Sequence, residues 1–232
     1  MGKASKKFKK FFKIGVGMFL LLVLGFFIYA SDYYETDEDA VEIISNNKNI
    51  RREDKLTIFS SDEPSDKALI FYPGAKVEHT AYAPILSKLS EEGITCVLVE
   101  MPFNMAIFNY DAADEVFERV PYVEDWYIGG HSMGGAMASK YASENKDKVE
   151  GLILLGAYMY GNYPPEKALT IYGSLNPSVG EKIDYKENVV IIEGGNHAQF
   201  GNYGEQKGDL PATIGWKEQQ DVTVREIMDF IK

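Results

Sequence analysis

The twelve residues Trp126-Tyr127-Ile128-Gly129-Gly130-His131-Ser132-Met133-Gly134-Gly135-Ala136-Met137 constrain this chain more than any others. An apolar run with strand character stops at two glycines, presents one serine, and resumes as small residues with helical periodicity. That is the pattern of a strand-turn-helix elbow. Such a turn lifts its serine out of the sheet on a strained backbone, and the positions two before and two after it face a strand or helix too closely to carry a side chain. Gly130 and Gly134 meet that demand. In a chain with 21 glycines the spacing alone also fits a plain turn capping a helix, so the flanking strand and helix carry the functional reading.

The remaining sequence supplies a sheet for this elbow. Leu56–Phe59 and Ala68–Tyr72 read as strands separated by a Pro64-Ser65-Asp66 turn, the second ending at Pro73-Gly74. Pro84 sits in the first turn of a helix whose Tyr82, Ile85, Leu86 and Leu89 recur at helical spacing, and Gly93 closes it. Ile94–Val99 is continuously apolar, as expected for a strand covered on both faces. Ala106, Tyr110, Ala113 and Phe117 mark one face of a helix that Pro121 ends. Beyond the elbow, Val149–Leu155, Ala168–Tyr172 and Val189–Ile192 read as strands, and Val224, Ile227, Met228 and Ile231 mark a last helix. This alternation predicts an α/β fold with a mostly parallel sheet and helices on both faces. Ligands of such sheets bind at the carboxyl ends of the strands, where Gly74, Asn104, Ser132, Asn176 and His197 fall.

The amino-terminal end has a different character. Lys3, Lys6, Lys7, Lys9, Lys10 and Lys13 precede a seventeen-residue uncharged apolar run, Ile14–Ala30. At about 1.5 Å per residue this is near the short end of what crosses a hydrocarbon core. The run is longer than the apolar region of a secretory signal, and Ile28 stands where a small residue would precede a cut after Ala30. An uncleaved anchor is therefore expected, with residues 1–13 as a basic cytoplasmic segment, 14–30 as a single transmembrane span and the body outside the cell membrane. Cleavage would leave a secreted body. Residues 31–54 are acidic and read as a linker or collar with a short helix near Asp37–Ile44, and residues 55–232 as the folded domain. With the six lysines set apart, 18 basic residues face 35 acidic ones, so the body repels nucleic acids. Cys96, the only cysteine, lies in an apolar strand and excludes an internal disulfide. The three histidines have no metal-ligand spacing, so neither a metal nor another cofactor is expected.

A serine hydroxyl needs an adjacent base, most often histidine, to become a nucleophile. His131 adjoins Ser132 but points to another side of the turn, and His79 reads as a loop residue. His197 follows the last strand within Glu193-Gly194-Gly195-Asn196-His197-Ala198-Gln199-Phe200-Gly201, in the chain order such an elbow requires, and two glycines free its loop to reach inward. Ser132 as nucleophile and His197 as base are the candidate catalytic pair. Oxyanion donors are expected from the Met133 N–H and, because proline cannot donate, from the Ala75 N–H behind Pro73-Gly74. Asn104 and Gln199, with the aromatics Phe103, Tyr158, Tyr160 and Tyr163, are candidate walls for a small ester or acyl substrate, the aromatics being equally well suited to packing.

Together the segments Tyr72–Val77, Ala83-Pro84, Met101–Asn104, Gly129–Ala136 and Glu193–Gly201 resemble a small α/β hydrolase of the dienelactone-hydrolase-like group called α/β-hydrolase fold 5. The resemblance covers about residues 55–232 and implies a Ser-His-acid hydrolase. In that family the acid lies in a Gly-Ser-x-Asp turn, where this chain reads Gly173-Ser174-Leu175-Asn176. The acid position thus holds Asn176, and Asp184, Glu181 or Glu187 could substitute from the segment that follows. An amide orients the histidine without stabilising its charged form; Asp-to-Asn in a serine protease lowers turnover about 10⁴-fold. The stretch between the strands at Leu155 and Ala168 leaves no room for a lid domain. The readings are an ester or acyl hydrolase working through an acyl-enzyme, a catalytically impaired binding or envelope protein on the same fold, and an acyltransferase using the same residues.

Overall fold

The computed structural model describes residues 2–63 and 65–231. Pro64 of the expected turn, and the side chains of residues 2–7 with Lys3, Lys6 and Lys7 among them, lie outside the described residues. The chain divides into two compact units, residues 1–33 and 34–232. The first is one helix, α1 (Gly2–Ser31), in which Phe8–Ser31 is long and apolar enough to cross a membrane, with a mean hydropathy of 2.4.

The second unit is an α/β fold. Its strands are β1 (Ile50–Glu53), β2 (Leu56–Phe59), β3 (Lys67–Tyr72), β4 (Thr95–Val99), β5 (Asp125–His131), β6 (Gly151–Leu155), β7 (Ala168–Gly173) and β8 (Val189–Ile192). They form one sheet in the order β1-β2-β4-β3-β5-β6-β7-β8. β1, β2 and β4 pair antiparallel, and every pairing from β4 onward is parallel. The helices are α2 (Glu38–Asn46), α3 (Ala83–Glu91), α4 (Ala113–Arg119), α5 (Met133–Glu144), the single turn α6 (Pro177–Gly180) and α7 (Trp216–Ile231).

Alternation along the strands builds two cores. Leu69, Phe71, Cys96 and Leu98 face one side, with Ile85, Leu86 and Leu89 of α3 and Val224, Ile227 and Ile231 of α7. Ala68, Ile70, Tyr72 and Val97 face the other, with Ala113 and Val116 of α4 and Ala138, Tyr141 and Ala142 of α5. Cys96 is buried and unpaired. The parallel strands thus lie between two helical layers, which is why their sequences are apolar throughout.

Two stretches differ from the sequence expectation. Within the 31–54 stretch read as an acidic linker or collar, residues 34–54 fall in the same compact unit as the domain. Asp37 caps α2 by accepting the Ala40 N–H at 3.0 Å, Ala40 is fully buried, and β1 extends the sheet beyond β2. The helix expected from Ala106 to Phe117 is broken: a 3₁₀ turn at Ala106–Phe108 is separated from α4, which begins only at Ala113. The break follows from the Tyr72 hydroxyl, which donates to the Tyr110 C=O at 3.0 Å and accepts the Ala113 N–H at 2.9 Å. Bound on both sides of Asp111-Ala112, this backbone starts its helix only at Ala113.

Candidate active site

β5 runs directly into α5, and Ser132 stands at the junction with φ +53°, a left-handed conformation that costs a serine on the order of 1 kcal/mol or more. Its N–H is held by the Leu155 C=O of the neighbouring strand at 3.0 Å. A Cβ at Gly130 would meet the Tyr72 carbonyl oxygen at 2.5 Å, and one at Gly134 would meet it at 2.2 Å. The elbow glycines are therefore required by the backbone of β3, the strand packed beside the turn.

Behind the serine runs a hydrogen-bonded chain, buried except at its His197 end, that sequence reasoning did not find. His131 Nε2 lies 3.0 Å from the His197 carbonyl oxygen, which can only accept, so Nε2 carries the proton. His131 Nδ1 is then an acceptor and takes the Tyr82 hydroxyl proton at 2.8 Å. The same hydroxyl oxygen accepts the Gly74 N–H at 3.0 Å. Burial, and next the nearby His197, hold His131 well below the usual histidine range, which keeps it neutral and fixes this single tautomer. His131, set aside from the sequence as a base, instead joins the loop after β3 to the loop after β8. Tyr82 had registered only as one more apolar helix residue.

The loop after β3 presents one amide. Gly74 gives its N–H to Tyr82, and Lys76 gives its N–H to the Asn104 C=O at 2.7 Å. Between them the Ala75 N–H makes no hydrogen bond among the described residues, and the Met133 N–H opens α5 without an intrahelical partner. Asn104 thus touches this loop through its backbone. Phe103 and Asn104, with φ of +56° and +53°, form the turn that aims that carbonyl.

His197 lies just after β8, its ring centroid 4.5 Å from that of His131, the residue before Ser132. Asn176 meets it from the turn after β7, with Nδ2 at 2.8 Å from His197 Nδ1. The Ser178 hydroxyl donates to Asn176 Oδ1 at 2.9 Å. Because a hydroxyl both donates and accepts, Ser178 can serve the amide with either end facing the imidazole. Asp184, Glu181 and Glu187 are exposed. Burial lowers the His197 pKa, and the Asp209 carboxylate partly opposes the shift.

α7 holds the His197 loop in place. Gln219, fully buried, donates to the Asn196 C=O at 2.9 Å and accepts the Asn196 N–H at 3.0 Å. The neighbouring Gln220 donates to Asn202 Oδ1 at 2.8 Å and to the Gln199 C=O at 3.2 Å. The Gln199 side chain, expected at the substrate, turns instead to the Ile214 C=O at 3.2 Å. Tyr163 is buried with its hydroxyl on the Val149 C=O, so it packs the core, whereas Tyr160 is exposed. The signal for the glutamines was present in the sequence as two amides one turn ahead of Val224, on the apolar face of the last helix.

Comparison with known proteins agrees with this architecture. The model of the alpha/beta hydrolase family matches residues 68–221. Est1E from Butyrivibrio proteoclasticus, solved with ferulic acid, is 15% identical with a TM-score of 0.55 over 76% of this chain and 94% of its own. The monoacylglycerol lipase of Paleococcus ferrophilus is 14% identical with a TM-score of 0.55, over 77% of this chain and 100% of its own. A dienelactone hydrolase from Anabaena variabilis is 15% identical with a TM-score of 0.50, over 75% and 90%. No curated protein matches the chain. With the family match spanning the sheet from β3 to β8, the elbow and the histidine loop, the chain belongs to the alpha/beta hydrolase family.

Proposed function

We propose that this protein is a serine hydrolase that cleaves an ester or related acyl bond through an acyl-enzyme. The observation that carries the reading is Ser132 at φ +53° on the elbow, together with a His197 whose ring lies 4.5 Å from that of the adjoining His131 and whose Nδ1 is held at 2.8 Å by Asn176. Ser132 Oγ attacks the acyl carbon while His197 Nε2 takes its proton and then hands it to the leaving group. Water repeats the sequence in reverse and frees the serine. The Met133 and Ala75 amides receive the oxyanion, which accords with neither having another partner among the described residues.

Asn176 acts by orientation. In the working tautomer its Oδ1 faces the ring and accepts the Nδ1–H, leaving Nε2 unprotonated as the base requires. With Nδ2 facing the ring, Nδ1 becomes the acceptor and the base is in the wrong tautomer. A half-turn of the amide, served in either setting by Ser178, exchanges the two. The monoacylglycerol lipase and the dienelactone hydrolase among the structural relatives support acyl-ester chemistry here. α1 would act as a membrane anchor with its lysines on the cytoplasmic side, leaving the body outside.

The test is labelling by a fluorophosphonate probe. Labelling lost in Ser132→Ala and His197→Ala is expected, and an unlabelled native protein contradicts the reading. An impaired site is the second reading, favoured by Asn176, and the same probe would then label slowly or not at all.

A further inference from the structure

With Asn176 at the acid position, the site holds its base without a charge on the same residue. When His197 takes up a proton, the imidazolium gains from a negative charge nearby, and an amide supplies none. A carboxylate does stand close, at the backbone of His197 rather than at its ring. Asp209 Oδ2 accepts the Ala198 N–H at 2.7 Å, and Oδ1 accepts the N–H of His197 itself at 3.3 Å. The Leu210 N–H holds Oδ1 at 3.0 Å, and the Leu210 C=O in turn accepts from Asn196 Nδ2 at 2.9 Å. The carboxylate is therefore built into the loop that carries the base. Among the described residues no other carboxylate acts on His197, and this one favours its charged form.

We propose that Asp209 is a positioning residue that supplies, through the backbone of His197, the counter-charge Asn176 lacks. Orientation and charge, combined in the aspartate of a Ser-His-Asp triad, are divided between two residues, Asn176 at the imidazole and Asp209 at the backbone of His197. The inference rests on His197 serving as the base, and deepens that reading by giving the site a route to activity without an acid at position 176. Around His197 the charged or titratable groups are His131 from the end of β5 and Asp209 ahead of α7. Tyr203 lies beyond His131, and Asp37 and Glu205 line the same cavity as Asp209.

The chain has only three histidines, so the full-length protein in detergent micelles, labelled in its imidazoles, gives a resolvable NMR titration. His197→Gln and His79→Gln assign the signals. In Asp209→Asn the His197 titration moves to lower pH and kcat falls about tenfold, about 1.4 kcal/mol, at unchanged KM, while Asp209→Glu retains both. Asn176→Asp raises kcat about tenfold more in Asp209→Asn than in the native background, since the gain from a fixed tautomer is common to both and only in the second does it restore a missing charge. An unmoved His197 titration in folded Asp209→Asn overturns the proposal, as does an equal gain from Asn176→Asp in both backgrounds. Where Asp209→Asn does not fold, Asp209→Ser, which keeps a hydroxyl acceptor for the loop amides without the charge, is titrated in its place, and an unmoved His197 signal overturns the proposal. The titration reads Asp209 even in a protein that hydrolyses nothing, so failure of the hydrolase reading is seen separately, in the absence of Ser132 labelling.

Discussion

Replacing Tyr82 by phenylalanine removes one oxygen from the centre of the buried chain and leaves two groups without partners. The Gly74 N–H loses its acceptor at 3.0 Å, and His131 Nδ1 loses its donor at 2.8 Å. Tyr82 is fully buried and His131 is 1% exposed, so water does not replace the hydroxyl. Each of the two orphaned groups costs about 1–3 kcal/mol, giving a loss of about 2–6 kcal/mol from a domain whose whole stability is on the order of 5–15 kcal/mol. The consequence reaches the site because Gly74 precedes Ala75: with its N–H unheld, that peptide is free to turn, and fluorophosphonate labelling of Ser132 should slow about ten- to a hundredfold. Urea unfolding of residues 31–232 measures the first effect and labelling kinetics the second. Tyr160→Phe, at a residue 54% exposed, serves as the control and should stay within about 0.5 kcal/mol of the native protein. A Tyr82→Phe protein that unfolds within about 0.5 kcal/mol of the native one refutes the buried chain and the tautomer assigned to His131.

Further outcomes follow from the same geometry. Gly156, at φ +53°, has no room for a methyl group, since its Cβ would stand 2.9 Å from His197 Nδ1; Gly156→Ala should lower kcat about a hundredfold while the protein still melts cooperatively. Gly134→Ala sets a Cβ at 2.2 Å from the Tyr72 carbonyl oxygen and 2.3 Å from that of Pro73, and should cost more than about 3 kcal/mol, seen as loss of soluble folded protein. All three histidines have pKa values lowered below 6.5 by burial. The unfolded chain then binds protons more readily than the folded one, so stability is complete above about pH 6.5 and is lost as pH falls below it. Thermal melting between pH 7 and 5.5 should show Tm falling on acidification, and a level or rising Tm contradicts the shifts.

What could be read from the sequence was whatever steric demand writes into residue type. The elbow was legible because the β3 backbone tolerates only glycine at positions 130 and 134, and the central parallel strands were legible because both of their faces are covered. β1 was not, since its Arg51 and Arg52 are exposed and four residues carry little period. The region 106–117 misled because its helical spacing is real while Tyr72 holds its backbone in another path. In the site, Asn176 stood where the family motif puts an acid, and the structure brings it to His197. Asp209 gave no signal, because it sits twelve residues beyond His197 among the glycines of a surface loop and acts on backbone amides, which no side-chain pattern records. Gln199 was misread for a related reason: its place beside the base suggested the substrate, whereas its amide is taken up by the Ile214 carbonyl.

The most direct test of the proposed chemistry is the mass of the protein shortly after mixing with p-nitrophenyl acetate and quenching in acid. The gain of one acetyl group, located on the peptide containing Ser132 and absent from Ser132→Ala, is the expected result. Release of nitrophenol with no acetylated Ser132, or acetylation that persists in Ser132→Ala, contradicts the acyl-enzyme.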